Sequence, residues 1–138
     1  MIEKIGKKIS SINNQLYFSA SDGIHGTELW HFDGSNLSLI QDIRVGNYGA
    51  NPRNIMEFNG ILYFSARDFT HGTELWKYDG TSTTMIYDIK RNTSGSNPSN
   101  LYAHNSSLYF SANGQVSIHI VSLAENKYFF VFFHILIW

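Results

Sequence analysis

The sequence predicts an all-β fold built from repeated four-stranded antiparallel meanders. The word HGTELWHFDG at 25–34 returns as HGTELWKYDG at 71–80. The word LYFSA begins at Leu16, Leu62 and Leu108, each time 46 residues further on. Repeats of roughly this length, built from short strands, are typical of stacked repeat architectures. Aromatic residues make up 15% of the 138 residues, which favours strands and a packed core.

Each repeat divides into four short strands, which the second copy delimits most clearly. These strands are predicted at 54–58, 61–66, 73–79 and 83–89. Asn59–Gly60 suits a two-residue hairpin, because both positions tolerate a positive φ. In the longer loop, Gly26 and Gly72 recur while Gly23 is replaced by Phe69, so only the recurring position is expected to require glycine.

The strand LYFSA indicates how the repeats stack. It carries bulky residues on both faces, which indicates a strand covered from both sides. Meanders stacked on one another provide such cover, as in the blades of a β-propeller. We predict one repeat domain over 1–138, with blade 1 at about 1–46, blade 2 at about 47–92 and a degenerate blade 3 at about 93–138.

Three blades are too few to close a propeller, which needs about four to eight. The prediction is therefore an open arc, whose two uncovered end faces should promote self-association. A β-trefoil, which also contains three repeats of four strands, is the alternative.

The words HGTELWHFDGS and HGTELWKYDGT resemble the ELWxxDGT repeat of large bacterial proteins. The flanking DI, GxNP and LYFSA words fit that repeat too, over roughly residues 6–114. The resemblance implies tandem propeller-like blades in a secreted or cell-surface protein. The function of that family is poorly defined, so the resemblance says more about fold than about activity.

The third repeat departs from the motif after LYFSAN. When the repeats are aligned, Ser122 stands where the first two repeats have Trp30 and Trp76. Either this is a diverged blade, or it is the frame-shifted end of a longer array. The frame shift explains more economically why the motif vanishes at one point. The apolar end at 128–138 is shorter than the about 20 residues of a membrane-spanning helix, and its aromatic and β-branched residues favour strands.

Composition and motifs argue against several functions. Ten basic and eleven acidic residues leave no basic stripe for nucleic acid, and the absence of cysteine excludes thiolate chemistry. Phosphate-binding and nucleophile motifs are missing, so we expect no enzyme activity and no cofactor. We expect a non-enzymatic recognition or surface scaffold with a protein or glycan partner; the alternative is a carbohydrate-binding module.

The recurring polar residues are expected to be structural. Glu28 and Glu74 occupy the same place in successive repeats, whereas catalytic groups are more often unique in a chain. If buried, each glutamate needs a partner, such as backbone N–H groups or Arg44 and Lys90. Single aspartates beside the turns favour Asx-turn hydrogen bonds over calcium loops.

His25, His71, Trp30 and Trp76 are the candidate ligand-binding residues. The histidines suit hydrogen bonds to neighbouring carbonyl groups, and their spacing gives no metal motif. The tryptophans lie mid-strand, with Phe32 and Tyr78 on the same faces, which favours packing in the core. Stacking on a sugar ring is the alternative role for the tryptophans.

Overall fold

The computed structural model describes residues 2, 4–105, 107–113 and 119–122 of the chain. These residues form three antiparallel sheets, one in each repeat. Sheet 1 is a meander whose four strands pair in sequence order: β1 (Lys4–Ile12), β2 (Gln15–Ser21), β3 (Thr27–Phe32) and β4 (Leu37–Gln41).

Sheet 2 repeats this topology, and sheet 3 follows it over a shorter length. Sheet 2 contains β5 (Arg53–Phe58), β6 (Ile61–Arg67), β7 (Thr73–Tyr78) and β8 (Thr83–Tyr87). Sheet 3 contains β9 (Ser99–His104), β10 (Ser107–Ser111) and β11 (His119–Ser122). The predicted strands of the second repeat are confirmed in position and in pairing order. The strand predicted at 128–138 lies outside the described part of the chain.

The hairpins explain why asparagine recurs at fixed places. Asn59 and Gly60 connect β5 to β6 with φ of 53° and 77°, which confirms the turn expected there. Asn13 and Asn14, at 50° and 62°, do the same in sheet 1. Asparagine enters this left-handed region more easily than most residues, so it permits a tight turn without glycine.

The core consists of apolar layers on both sides of sheet 2. Leu62, Phe64 and Ala66 of β6 are buried against residues of sheet 1. Tyr63, between them on the same strand, faces the opposite way and packs with Leu108 of sheet 3. The expected cover on both faces of LYFSA is therefore present in the second repeat.

The sheets are related through their first strands. β1 lies close to β5, and β5 lies close to β9. In each sheet the strand order is linear, so none of the described sheets is closed, in contrast to the barrel of a β-trefoil. The described part of the chain also holds no helix long and apolar enough to cross a membrane.

A pair of glycines joins each of the two connecting loops to the sheet before it. Gly72 has a φ of 74°, and a Cβ atom there would overlap the backbone of Gly95. Gly26 and Gly49 meet in the same way one repeat earlier. Gly26 and Gly72 therefore require glycine, as expected from their recurrence, because backbone lies against backbone at both places.

Candidate functional site

Glu28 and Glu74 bind the loops that connect successive sheets. Both are fully buried. One carboxylate oxygen of Glu28 accepts hydrogen bonds from the backbone N–H groups of Ala50 at 2.8 Å and Arg44 at 3.1 Å. Glu74 accepts from the backbone of Ser96 at 2.8 Å and from its hydroxyl group. The structural role expected for these residues thus has a direct geometric basis.

The environment of these carboxyl groups favours the protonated form. Burial raises the pKa of Glu28 to about 7, although the backbone hydrogen bonds of Arg44 and Ala50 act in the opposite direction. Burial also raises the pKa of Glu74, against the hydrogen bonds from Ser96. Removing water from a carboxylate disfavours its charge more than these donors can compensate. A raised carboxyl pKa therefore follows from burial of these structural residues and does not by itself indicate catalysis.

The recurring histidines belong to Asx turns. Asp22 Oδ1 accepts the backbone N–H groups of Ile24 and His25, both at 2.9 Å. Its other oxygen lies 2.7 Å from His25 Nδ1. Asp68 and His71 repeat the arrangement, with 2.6 Å between the side chains. The histidine partner is thus a carboxylate three residues earlier and not the expected carbonyl group, because the Asx turn already holds this aspartate under the ring.

These contacts shift the ionisation of both partners. Backbone hydrogen bonds from His25 and Ile24 hold the pKa of Asp22 far below its usual range. The side-chain hydrogen bonds to Asp22 and Asp68 raise the pKa of His25 and His71. Asp33 forms an Asx turn with Ser35 and Asn36, whose backbone donors lower its pKa to about 2. Asp22, Asp33 and Asp68 are therefore bound to backbone donors, as expected for aspartates at turns.

Trp30 and Trp76 are packed within the protein. Their exposed fractions are 8% and 9%. Trp76 lies between sheets 1 and 2, and its indole N–H donates to the carbonyl oxygen of Ala66 at 3.0 Å. Trp30 packs with Phe18 and Phe32 on the opposite face of sheet 1. This burial is what the core role expected for both tryptophans requires.

The remaining histidines are dispersed. His31 stacks on Tyr17 with ring centroids 4.9 Å apart, and His104 stacks on Tyr102 at 6.4 Å. His134 lies outside the described residues. No group of three or more histidine, aspartate or glutamate side chains that could hold a metal ion occurs within the described ranges.

An aromatic cluster, which we call the loop cluster, consists of Arg44, Tyr48 and Phe69. The rings of Tyr48 and Phe69 meet edge to face at 5.4 Å, and 64% and 53% of the two residues is exposed. The Arg44 guanidinium lies over both rings, 5.2 Å from Tyr48 and 4.7 Å from Phe69. The loop cluster joins the loop after sheet 1 to a loop within sheet 2. The sequence analysis did not predict it.

Two cavities lie where successive repeats meet. A cavity of about 410 Å³ is lined by polar residues, among them Arg53, Arg67 and Asn97. A second, of about 370 Å³, lies beside Tyr17 and His31, with further residues including Tyr78 and Asp79. Arg53, Arg67 and His31 differ from the equivalent residues of the neighbouring repeats, which is the signal that could have pointed to these cavities in the sequence.

Comparison with protein-family models, with curated proteins and with solved structures finds no match to the chain. The resemblance to the ELWxxDGT repeat therefore stays a prediction based on the repeated words themselves.

Proposed function

We propose that the protein is a non-enzymatic recognition scaffold made of propeller-like blades in an open arc. The loop cluster is the surface through which it binds a partner protein. Three observations support this proposal: the placement of the sheets, the use of the recurring polar residues, and the composition of the loop cluster.

The placement of the sheets supports the open arc. The first strands β1, β5 and β9 lie near one another. Apolar layers fill the space between sheets 1 and 2 and between sheets 2 and 3. Sheets that meet at their first strands and stack face to face are the arrangement of neighbouring propeller blades.

The recurring polar residues support a structural and non-catalytic role for the repeat. Glu28 and Glu74 are bound to connecting loops. The Asp22–His25 and Asp68–His71 pairs close Asx turns. Each residue type performs the same task in two successive repeats, so its recurrence is explained by assembly of the fold.

The loop cluster is the single observation that carries the recognition role. Exposed tyrosine and phenylalanine with an arginine are typical of the residues that dominate binding energy at protein interfaces. The equivalents of Phe69 and Tyr48 in the neighbouring repeats are Gly23 and Ser94, so the cluster is specific to this junction. Loops on a rigid sheet scaffold are common places for binding residues.

A binding array of proteins and glycans tests this proposal. We expect the wild-type chain to bind a protein selectively, and Tyr48→Ala or Phe69→Ala to weaken that binding at least about tenfold, as for interface anchor residues. Tyr102→Ala is the matched control, because it removes another exposed ring from a distant strand. Equal losses in all three variants would contradict a role for the loop cluster.

Carbohydrate binding is the second candidate function, and the cavity beside Tyr17 and His31 favours it. The stacked rings of Tyr17 and His31 and the nearby Tyr78 supply apolar surface, while Asp79 supplies hydrogen-bond acceptors. Sugars are recognised by this combination of aromatic and polar groups. On a glycan array, His31→Ala should abolish selective binding and His104→Ala should preserve it. Binding that survives His31→Ala would exclude this cavity as the site.

A further inference from the structure

The cavity of about 410 Å³ lies at the junction of sheets 2 and 3, where the connecting loop enters β9. Its wall includes the beginning of β5, the end of β6 and the loop residues Asn97 and Pro98. The volume falls within the about 300–1,000 Å³ typical of small-molecule sites. None of the residues that line the cavity is acidic.

Two arginines face this cavity from neighbouring strands. Arg53 on β5 lies directly opposite Ser65 on β6, so their side chains share one face of sheet 2. Arg67 follows Ser65 by two residues on β6 and therefore points to the same face. The backbones of such diagonal neighbours are about 7–8 Å apart. Two long side chains that start at this separation can both reach one small anion.

Neither guanidinium is neutralised by a carboxylate of the described residues. Arg67 donates one hydrogen bond, to the backbone oxygen of Thr93 at 3.3 Å, which orients it along the connecting loop. Asp68, its neighbour in sequence, is already bound to His71. Two positive charges thus remain at a concave polar surface without a counter-charge from the described residues.

The floor of the cavity is held in place by internal hydrogen bonds. The Asn54 side-chain amide donates to the backbone oxygen of Pro98 at 3.0 Å and to Ser65 Oγ at 3.3 Å. Ser65 in turn donates to the backbone oxygen of Arg53 at 3.2 Å. This network joins sheet 2 to the loop before β9, so the wall that carries both arginines is preorganised.

The arginine pair occurs in one repeat alone. The equivalent positions are Lys7 and Ser21 in the first repeat and Ser99 and Asn113 in the third. Assembly of the repeats therefore does not require two arginines here. A pair of like charges placed at one junction, in a cavity, needs an explanation other than stacking of the sheets.

We infer that Arg53 and Arg67 form a binding site for a small organic anion, whose oxyanion group lies between the two guanidinium groups. Guanidinium groups bind carboxylate, phosphate and sulfate oxygens through paired N–H donors. Thr73 and Ser99 place hydroxyl groups on the same wall, where they can bind the neutral part of the ligand. No residue of the loop cluster lines this cavity, so anion binding can be tested apart from the proposed partner binding.

Calorimetric titration of the full chain at fixed ionic strength tests this inference. The probes are inorganic phosphate, inorganic sulfate and glucuronate, with uncharged glucose as the neutral comparison. We expect at least one anion to bind and glucose not to bind. Stronger binding of glucuronate would identify a carboxylate ligand, whereas stronger binding of phosphate or sulfate would identify a tetrahedral anion. Absence of binding by all three anions would overturn the inference.

Charge-removing variants locate the site. Arg53→Gln and Arg67→Gln should each weaken anion binding at least tenfold, and the double variant should abolish it. Arg91→Gln is the control, because this exposed loop arginine carries the same charge but does not line the cavity. Unchanged affinity in the double variant, or an equal loss in Arg91→Gln, would overturn the assignment.

Circular dichroism decides whether the glutamine variants are folded. If they are not, Arg53→Lys and Arg67→Lys keep the charge and remove the paired donors of the guanidinium group. Each lysine variant should then bind the anion several-fold more weakly. Wild-type affinity in both lysine variants would count against binding between the two guanidinium groups.

Discussion

Glu28 and Glu74 illustrate how single residues join successive repeats. Each glutamate lies on the third strand of its sheet and accepts hydrogen bonds from the loop that leads to the next sheet. Glu28 and Glu74 are both fully buried, and an unpaired charge in that position would be costly. Their pKa values are therefore raised, and the stability of the fold depends on pH.

We expect the free energy of unfolding to fall as the pH rises from about 5 to 8. The pKa of Glu28 rises from 4.5 to about 7 on folding, so the folded state holds its proton more tightly than the unfolded state does. This contribution is fully present below pH 4.5 and is lost as the pH rises through 7. Glu74, His25 and His71 act in the same direction, because their pKa values are also raised. The lowered pKa values of Asp22 and Asp33 matter only as the pH falls below 3.8.

Urea unfolding at pH 5 and pH 8 measures this dependence. In Glu28→Gln the fall in the free energy of unfolding between pH 5 and pH 8 should be smaller by about 1–3 kcal/mol than in the wild type. Glutamine keeps the shape of the side chain and does not titrate. Glu57→Gln is the control, because it alters a turn contact and leaves both buried carboxyl groups in place. A decline of the same size in Glu28→Gln and wild type would contradict the role of this carboxyl group.

Gly72→Ala should destabilise the fold more than Gly80→Ala does. Both glycines have a positive φ, so both variants strain the backbone by about 1 kcal/mol. A Cβ atom at Gly72 would also overlap Gly95, whereas one at Gly80 meets nothing within 4 Å. Overpacking adds about 1–3 kcal/mol, and thermal melts of the two variants would measure the difference. Equal melting temperatures would contradict the close approach of the two loops.

At the scale of the strand, β6 is buried on both faces. Phe64 faces sheet 1 and Tyr63 faces sheet 3, and neither is exposed. A strand that is apolar on both faces needs other parts of the protein packed on each side. The packing of sheets 1 and 3 on sheet 2 therefore explains why the LYFSA word of β6 lacks the alternation of a half-exposed strand.

Trp76→Ala should cost about 3–5 kcal/mol in the free energy of unfolding, as for a buried aromatic side chain. The indole fills the layer between sheets 1 and 2 and donates to Ala66. Tyr48→Ala, which removes an exposed ring, should change the stability by less than about 0.5 kcal/mol. Denaturant melts of both variants measure these values. A loss under about 0.5 kcal/mol in Trp76→Ala would place the indole outside the core and favour the ligand role.

At the scale of the molecule, each described sheet is open, and successive sheets approach one another through their first strands. Repeat arrays normally need polar capping surfaces at their ends. We therefore expect the isolated chain to self-associate as its concentration rises. Size-exclusion chromatography with light scattering measures the mass, and a stable monomer at high concentration would contradict this expectation.

Much of the architecture could be predicted because the repeated words carry local information. The Asn59–Gly60 turn determines the first hairpin of sheet 2, and the two-faced LYFSA strand indicates stacking. For Glu28, the sequence predicted the type of hydrogen-bond partner but not which residues supply it. Its partners include the backbone N–H of Ala50, 22 residues away, and chain distance does not reveal which buried donor a carboxylate will meet.

The sequence by itself determined the repeat length, the order of the strands within a meander and the requirement for glycine at Gly26 and Gly72. Turn geometry and strand periodicity are local, so a short stretch of sequence specifies them. Only the tertiary structure brought Arg44 over Tyr48 and Phe69, and placed Arg53 and Arg67 at one cavity. These sites combine residues from different strands and loops, and their contacts depend on how one sheet packs against the next.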